Sequence, residues 1–329
     1  MKAQTINNFV NNTFNFAVNS RWNDKDYTSL ILRASSYISY TETVKDSYLP
    51  DSDTLHGKIK ENSIDDYRKE FRKSIKKKLE KIKKPVIVIL DFTHDNFYGK
   101  INSNSLWIHE YTTIRGCTGS FEYLCVSIIY QDMRYFVDSL PIPVLRDNEK
   151  LIKEVIESLN FLKISMVLID RGFTRNSRII QVLRKNDLKY LGLYPKYGNV
   201  KKILLSMEGT FLRTSFEVGK VETDLIVIKD DKTDWTFVSN IKNRKIWRYI
   251  QLYKKRWNIE TAFRVCDEAR IKTKSVNIRI RYFYFLITLI LYNSWKLSEI
   301  PIQFKRYVIL CHTVLSAFTI TERLDELSL

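Results

Sequence analysis

Three acidic residues stand where acids can do chemistry. Asp91 follows the apolar run VIVIL, Asp170 follows MVLI, and Glu260 lies in LYKKRWNIETAFR among Lys254, Lys255, Arg256 and Arg264. An acid placed directly after a buried strand emerges at the edge of a sheet. In α/β sheets, ligands bind in the crevice outside the carboxyl ends of the strands. Two carboxylates converging there repel each other and raise one pKa unless a cation neutralises them. A divalent ion does so, and Mg²⁺ takes one or two carboxylates together with waters and phosphate oxygens. The bland alternative for either aspartate alone is a cap on the turn after its strand. Tyr253, Arg256 and Glu260 are spaced to share one helix face, where an ordinary surface salt bridge is the bland alternative.

The elements that would position these acids show in the hydrophobic pattern. VIVILDFTH, from Val86, is a continuous β-branched run of the kind found in a buried central strand. YLCVSIIY from Tyr123 and MRYFVDSL from Met133 read as two further strands, and Asn148 to Leu162 has helical spacing. ISMVLID (164–170), NSRIIQVLRKN (176–186) and KYLGLYP (189–195) then read as strand, helix and strand. The order predicts a mixed α/β sheet covered by helices. Short strand-like pieces follow, KKILLSM, TFLRTSFEV, TDLIVIKD and DWTFVSNIK, and predict an all-β insertion. Helical periodicity returns at Arg244 and continues to the end.

Ahead of the sheet, Asn62-Ser63-Ile64-Asp65 reads as the start of a long helix. Ile64, Tyr67, Phe71, Ile75, Leu79 and Ile82 give it an apolar face, and Pro85 is expected to end it. Its outer face is basic, with Lys76 and Lys77 read as contacts to a DNA backbone against the alternative of a solvated surface. The expected organisation is a helical, basic N-terminal region over 1–84 and the first part of an α/β domain over 85–195. A β insertion over 196–243 and a helical part over 244–329 carrying Glu260 complete it.

Composition bounds the partners. Lys+Arg number 54 against 37 Asp+Glu, a formal charge of +17, which suits nucleic acid or an acidic membrane surface. The cysteines Cys117, Cys125, Cys266 and Cys311 form no C-x-x-C pair and have no zinc spacing; free thiols in a reducing cytoplasm are expected. The longest apolar run, FYFLITLILY at Phe283 to Tyr292, is shorter than the ~20 residues that span a bilayer. It is expected to be a buried helix or strand, and no membrane partner is expected. The glycines fall into neither phosphate-binding fingerprint, which argues against a nucleotide-driven motor or kinase.

The blocks around the three acids resemble the DDE transposases of bacterial and archaeal insertion sequences. The subgroup is the one marked by a Y-x-x-R-x-x-x-E-x-x-x-x-x-x-K signature. Tyr253, Arg256 and Glu260 stand at its first three positions; LDFTHDNFYGK and LIDRGF resemble the blocks of the two aspartates, and WTFVSNIK the last strand of the family's insertion. The resemblance runs from about Pro85 to Trp295. The signature lysine falls on Asp267, and Arg264, one turn from Glu260, is the cation that could share its helix face.

The resemblance implies an RNase H-like domain with a β insertion and a catalytic metal-binding set of Asp91, Asp170 and Glu260. That set would hold Mg²⁺ or Mn²⁺ as two ions about 4 Å apart. It implies DNA as partner, touched by Tyr253, Arg256, Arg264, Lys254 and Lys255, and a homodimer on paired DNA ends in a prokaryotic cytoplasm, at the nucleoid. The implied reaction is cleavage at element ends followed by transesterification into a target. Two alternatives stay open: a metal-dependent nuclease that cuts without joining, and a DNA-binding derivative that no longer cuts. His94 and Asp95 are expected to bond locally, and Trp235 to pack in the core.

Overall fold

The computed structural model describes the chain except residues 1–3, 17–19, 45, 102–104, 111–114, 231–232, 243–244 and 328–329. Four helices precede the sheet: α1 (Gln4–Thr13), α2 (Asp24–Tyr37), α3 (Ser52–Lys60) and α4 (Ile64–Leu79). Ser63 and Asp66 close a reciprocal capping box at the start of α4. The helix stops at Leu79, before Pro85 is reached, so the proline is not its terminator.

The strands and helices that follow are β1 (Val86–Phe97), β2 (Ile108–His109), β3 (Gly119–Tyr130), β4 (Met133–Ile142), α5 (Asn148–Ser158), β5 (Ile164–Ile169), α6 (Arg171–Thr174), α7 (Ser177–Lys185) and β6 (Tyr190–Leu193). Next come α8 (Asn199–Ser206), β7 (Phe211–Val218), β8 (Val221–Ile228) and β9 (Trp235–Ser239). Three helices complete the chain: α9 (Ile246–Asp267), α10 (Ile278–Ser298) and α11 (Phe304–Leu327). One sheet holds all the strands, in the order β2-β3-β1-β5-β6-β9-β8-β7, with β4 also on β3. β1, β5 and β6 are mutually parallel and the remaining pairs antiparallel.

Two further expectations need correction. Asp91 does not end its strand: β1 continues to Phe97, because FTHDNF stays paired with β3 from Phe92↔Leu124 to Phe97↔Gly119. KKILLSM is not a strand but most of α8, whose buried Val200 and Leu204 lie four residues apart, on one helix face. The segment read as an all-β insertion therefore contains a helix, and its three strands extend the main sheet through the β6–β9 pairing. The expected boundary at 243/244, with the return of helical periodicity at Arg244, lies outside the described residues.

The sheet is covered on both faces, and strand alternation divides the core. On one face Ile89 and Leu168 pack with residues of α9, α10 and the N-terminal helices. On the other, Val88, Leu90, Val167 and Ile169 pack with α5, α7 and the end of α4. The FYFLITLILY run is helical, in α10, and buried along its whole length. Phe9 of α1 and Tyr67 of α4 both place their rings against Phe283 of α10, at 5.8 and 5.2 Å. The N-terminal helices thus share the central core. None of the four cysteines is in a disulfide, and all are buried. No helix among the described residues is long and apolar enough to cross a membrane.

Candidate active site

Register brings the two aspartates together. Leu90 of β1 pairs with Ile169 of β5, so Asp91 in mid-strand stands level with Asp170, the first residue beyond β5. Asp91 shares strand parity with Ile89, and Asp170 with Leu168, so both side chains project toward the face that α9 covers. Asp170 takes the N-cap position of α6, yet its side chain makes no capping bond. The bland alternative for this aspartate does not apply, because its carboxylate is engaged from α9.

That engagement centres on Arg256, which is 4% exposed. Its Nη1 donates to Asp91 Oδ2 at 2.7 Å, and its Nη2 donates to Glu260 Oε1 at 3.0 Å. The same Nη2 lies 3.2 Å from Asp170 Oδ1. Arg256 Nε donates to the Tyr253 hydroxyl at 3.0 Å, and that hydroxyl donates to Asp170 Oδ1 at 3.3 Å. All three acids therefore converge on a single guanidinium. The sequence reading had placed Arg256 and Tyr253 on DNA; both are buried and turned toward the acids. The reason is the apolar stripe of α9, where Tyr249, Leu252, Ile259 and Phe263 face the core and carry Tyr253 and Arg256 inward with them.

Neighbouring strands and aromatic rings hold α9 in this position. Phe237 of β9 packs on Tyr253 with ring centroids 5.3 Å apart, and Trp235 packs on Trp257 at 5.5 Å. Trp235 is buried, as expected of a core residue. From the other side Arg134 of β4 donates to the Lys255 carbonyl at 2.8 Å. Sequence reasoning passed over Arg134, which lies inside a strand with no motif around it.

The three acids differ in exposure: their side chains are 11%, 37% and 59% accessible for Asp91, Asp170 and Glu260. Burial pushes the Asp91 carboxyl up to about 7; Arg256 opposes the rise and Asp170 adds to it. A site with one nearly buried and two open carboxylates on a common face offers hard oxygen donors to a divalent cation. As they stand, no three His, Cys, Asp or Glu side chains among the described residues are gathered as a metal site. The guanidinium lies between the three acids and supplies the positive charge. The residues fit Mg²⁺ or Mn²⁺ in donor type and charge, with Arg256 standing among them.

The other expected contacts disperse. Lys254 and Arg264 are exposed on α9. Lys255 turns away from the acids toward Asp132, 3.7 Å off in the β3–β4 turn. Lys76 lies over the ring of Phe161 at 5.5 Å. Phe161 shortly precedes β5, so Lys76 and its exposed neighbour Lys77 sit at the end of the parallel strands opposite Asp170. Asp267, where the signature expects lysine, pairs with Arg270 at 3.0 Å. Asp95 pairs with Arg281 at 2.7 Å, and the half-exposed His94 ring lies 3.7 Å from Glu122.

Among curated proteins none matches the chain. Among solved structures, the chain is similar to the piggyBac transposase in a synaptic complex with hairpin DNA. The TM-score is 0.63 at 13% identity, with 98% of this chain and 79% of that chain covered. At that identity the likeness shows the fold, a mixed α/β arrangement of the RNase H-like kind. The family model for the transposase DDE domain matches residues 82–294, well over half of the chain and a span that contains Asp91, Asp170 and Glu260. The chain belongs to the DDE-domain transposase family.

Proposed function

We propose that this transposase cleaves DNA at the ends of a mobile element and joins them to target DNA. The site would be Asp91, Asp170 and Glu260, acting with Mg²⁺ or Mn²⁺. The observation that carries this reading is the convergence of three carboxylates, from mid-strand β1, the end of β5 and α9, on one guanidinium. The three carboxylates would hold the ions, and the bound ions would activate the attacking water or 3′-hydroxyl and stabilise the leaving oxygen. Arg256 gives the nearly buried Asp91 a charge partner through a charge-assisted bond. Tyr253 links Arg256 to Asp170 and so ties the α9 side of the site to the β5 side. On this reading residues 85–195 and 244–329 supply the site, 196–243 supply the strands that back α9, and two copies act together on paired ends.

The experiment is a nicking and joining assay with Mg²⁺ or Mn²⁺ on DNA taken from either side of the protein's own gene. Wild type is expected to cut and join. Asp91→Asn, Asp170→Asn and Glu260→Gln are each expected to lose more than the roughly 100-fold that removing a supporting residue costs at metal sites. Full activity in Asp170→Asn would overturn the assignment of the acids. Cutting without joining would select the nuclease reading, and no cutting by wild type the DNA-binding one.

A further inference from the structure

A second feature borders the acids on the opposite side of the sheet. Between the N-terminal ends of α5 and α7 lies a cleft of about 530 Å³, lined by residues that include Arg146, Asp147, Gly172, Arg175, Asn176 and Arg178. Four of these belong to the segment that runs on directly from Asp170. Phe92, next to Asp91 but facing the other side of β1, stacks on Phe173 at 4.5 Å, and the Arg146 guanidinium lies 4.9 Å over Phe92. The acids and the cleft are thus two sides of one crest, formed by the middle of β1 and the carboxyl end of β5.

The charges of the cleft are unevenly used. Its acid, Asp147, is occupied as the N-cap of α5, accepting from the backbone of Glu149 and Lys150. Arg146 pairs with Glu122 at 2.6 Å. Arg175 rests on the exposed Tyr197 ring at 5.4 Å. Among the described residues no carboxylate pairs with Arg175 or Arg178, and both are exposed. Two cations without acids, a flat aromatic ring beside them and an open polar cleft are what a phosphodiester backbone requires: point charges for phosphates and a platform for a sugar or base. The position matters as much as the charge. Across α6, Arg175 stands five residues beyond Asp170, an axial rise of ~7.5 Å. Phosphates recur every ~3.4 Å along the axis of a duplex strand, so this is the scale of about two nucleotides.

Resting on the proposed function, we infer that this cleft is a DNA-backbone site. The strand that reaches the acids crosses the crest and continues over Arg175 and Arg178. The test measures binding of a short labelled duplex of arbitrary sequence, without metal, across a salt series. Neutralising both arginines, Arg175→Gln with Arg178→Gln, should lower the slope of log affinity against log salt by about two. The charge-keeping pair Arg175→Lys with Arg178→Lys should retain it. Lys76→Gln with Lys77→Gln removes the same charge from the far end of the sheet and should leave the slope unchanged. An unchanged slope in the Gln pair overturns the site, and so does an equal fall in the Lys76/Lys77 pair, which would reduce the effect to net charge. If wild type still nicks DNA, either result removes the cleft alone. A wild type that neither binds nor nicks removes the functional reading beneath it.

Discussion

Asp91 is the most constrained of the three acids, and its protonation should be visible in stability. Burial holds its carboxyl at about 7 in the folded protein, whereas an unfolded chain loses that proton near pH ~3.9. Between those values the native state binds the extra proton, so this group's contribution to stability is complete below about pH 4 and declines as pH rises toward 7. The full loss is on the order of 4 kcal/mol. His56 and His312, both lowered by burial, pull the other way over part of this range. The difference between wild type and Asp91→Asn, measured by denaturation of metal-free protein from pH 5 to 8, isolates the aspartate. Wild type is expected to lose stability relative to the variant as pH rises; parallel curves would contradict the assignment. At this scale the sequence was legible in type and partly blind in geometry. Asp91, Asp170 and Glu260 stand out by what precedes or surrounds them. Arg256 was read as a DNA contact because its charge was weighed and its place in the Leu252–Ile259–Phe263 stripe was not. That stripe was present in the spacing, and a buried arginine among acids follows from it.

The elements show how the basic helix α4 is anchored in the structure. Its Arg68 is buried, and its Nε and Nη2 donate to the two carboxylate oxygens of Asp138 on β4 at 2.8 and 2.6 Å. A third bond from the same guanidinium goes to Glu154 of α5. Asp138 is fully buried and also accepts from Ser158 at 2.9 Å. Removing the arginine would leave that carboxylate only the more distant Arg72, 4.0 Å away, as counter-charge, and breaking a buried pair typically costs about 3–5 kcal/mol. Arg68→Ala should therefore lower unfolding stability by that amount in chemical denaturation. A loss below about 1 kcal/mol, the range of exposed pairs, would show that the pair does not hold α4. The strands β1, β3, β4, β5 and β6 were legible from β-branched runs and helical spacing, whereas the two-residue β2 was not. The end of β1 was not, because polar residues beyond Asp91 kept pairing with β3. Nor was α8, since a helix this short shows only one repeat of its buried spacing.

The whole molecule assembles a site that no segment contains. Asp91 and Asp170 reach the same level only because β1 and β5 are parallel neighbours in register. Glu260 arrives only because α9 lies across them, backed by β9 and held at its far side by Arg134. The N-terminal helices, which matched no motif, cover α10 on the same face and so complete the core beneath α9. Their sequence showed helices but could not show what they cover, since amphipathic spacing names a buried face and not its partner. The central claim is that this assembled set of acids is built for a divalent cation, with Arg256 supplying the charge in the cation's place. The most direct measurement is an anomalous difference map from crystals of the protein grown with Mn²⁺ and DNA. A manganese peak is expected in contact with carboxylate oxygens of Asp91, Asp170 and Glu260, with the Arg256 guanidinium withdrawn from Asp91. A map in which Arg256 keeps all three carboxylates and no manganese lies among them would contradict the claim.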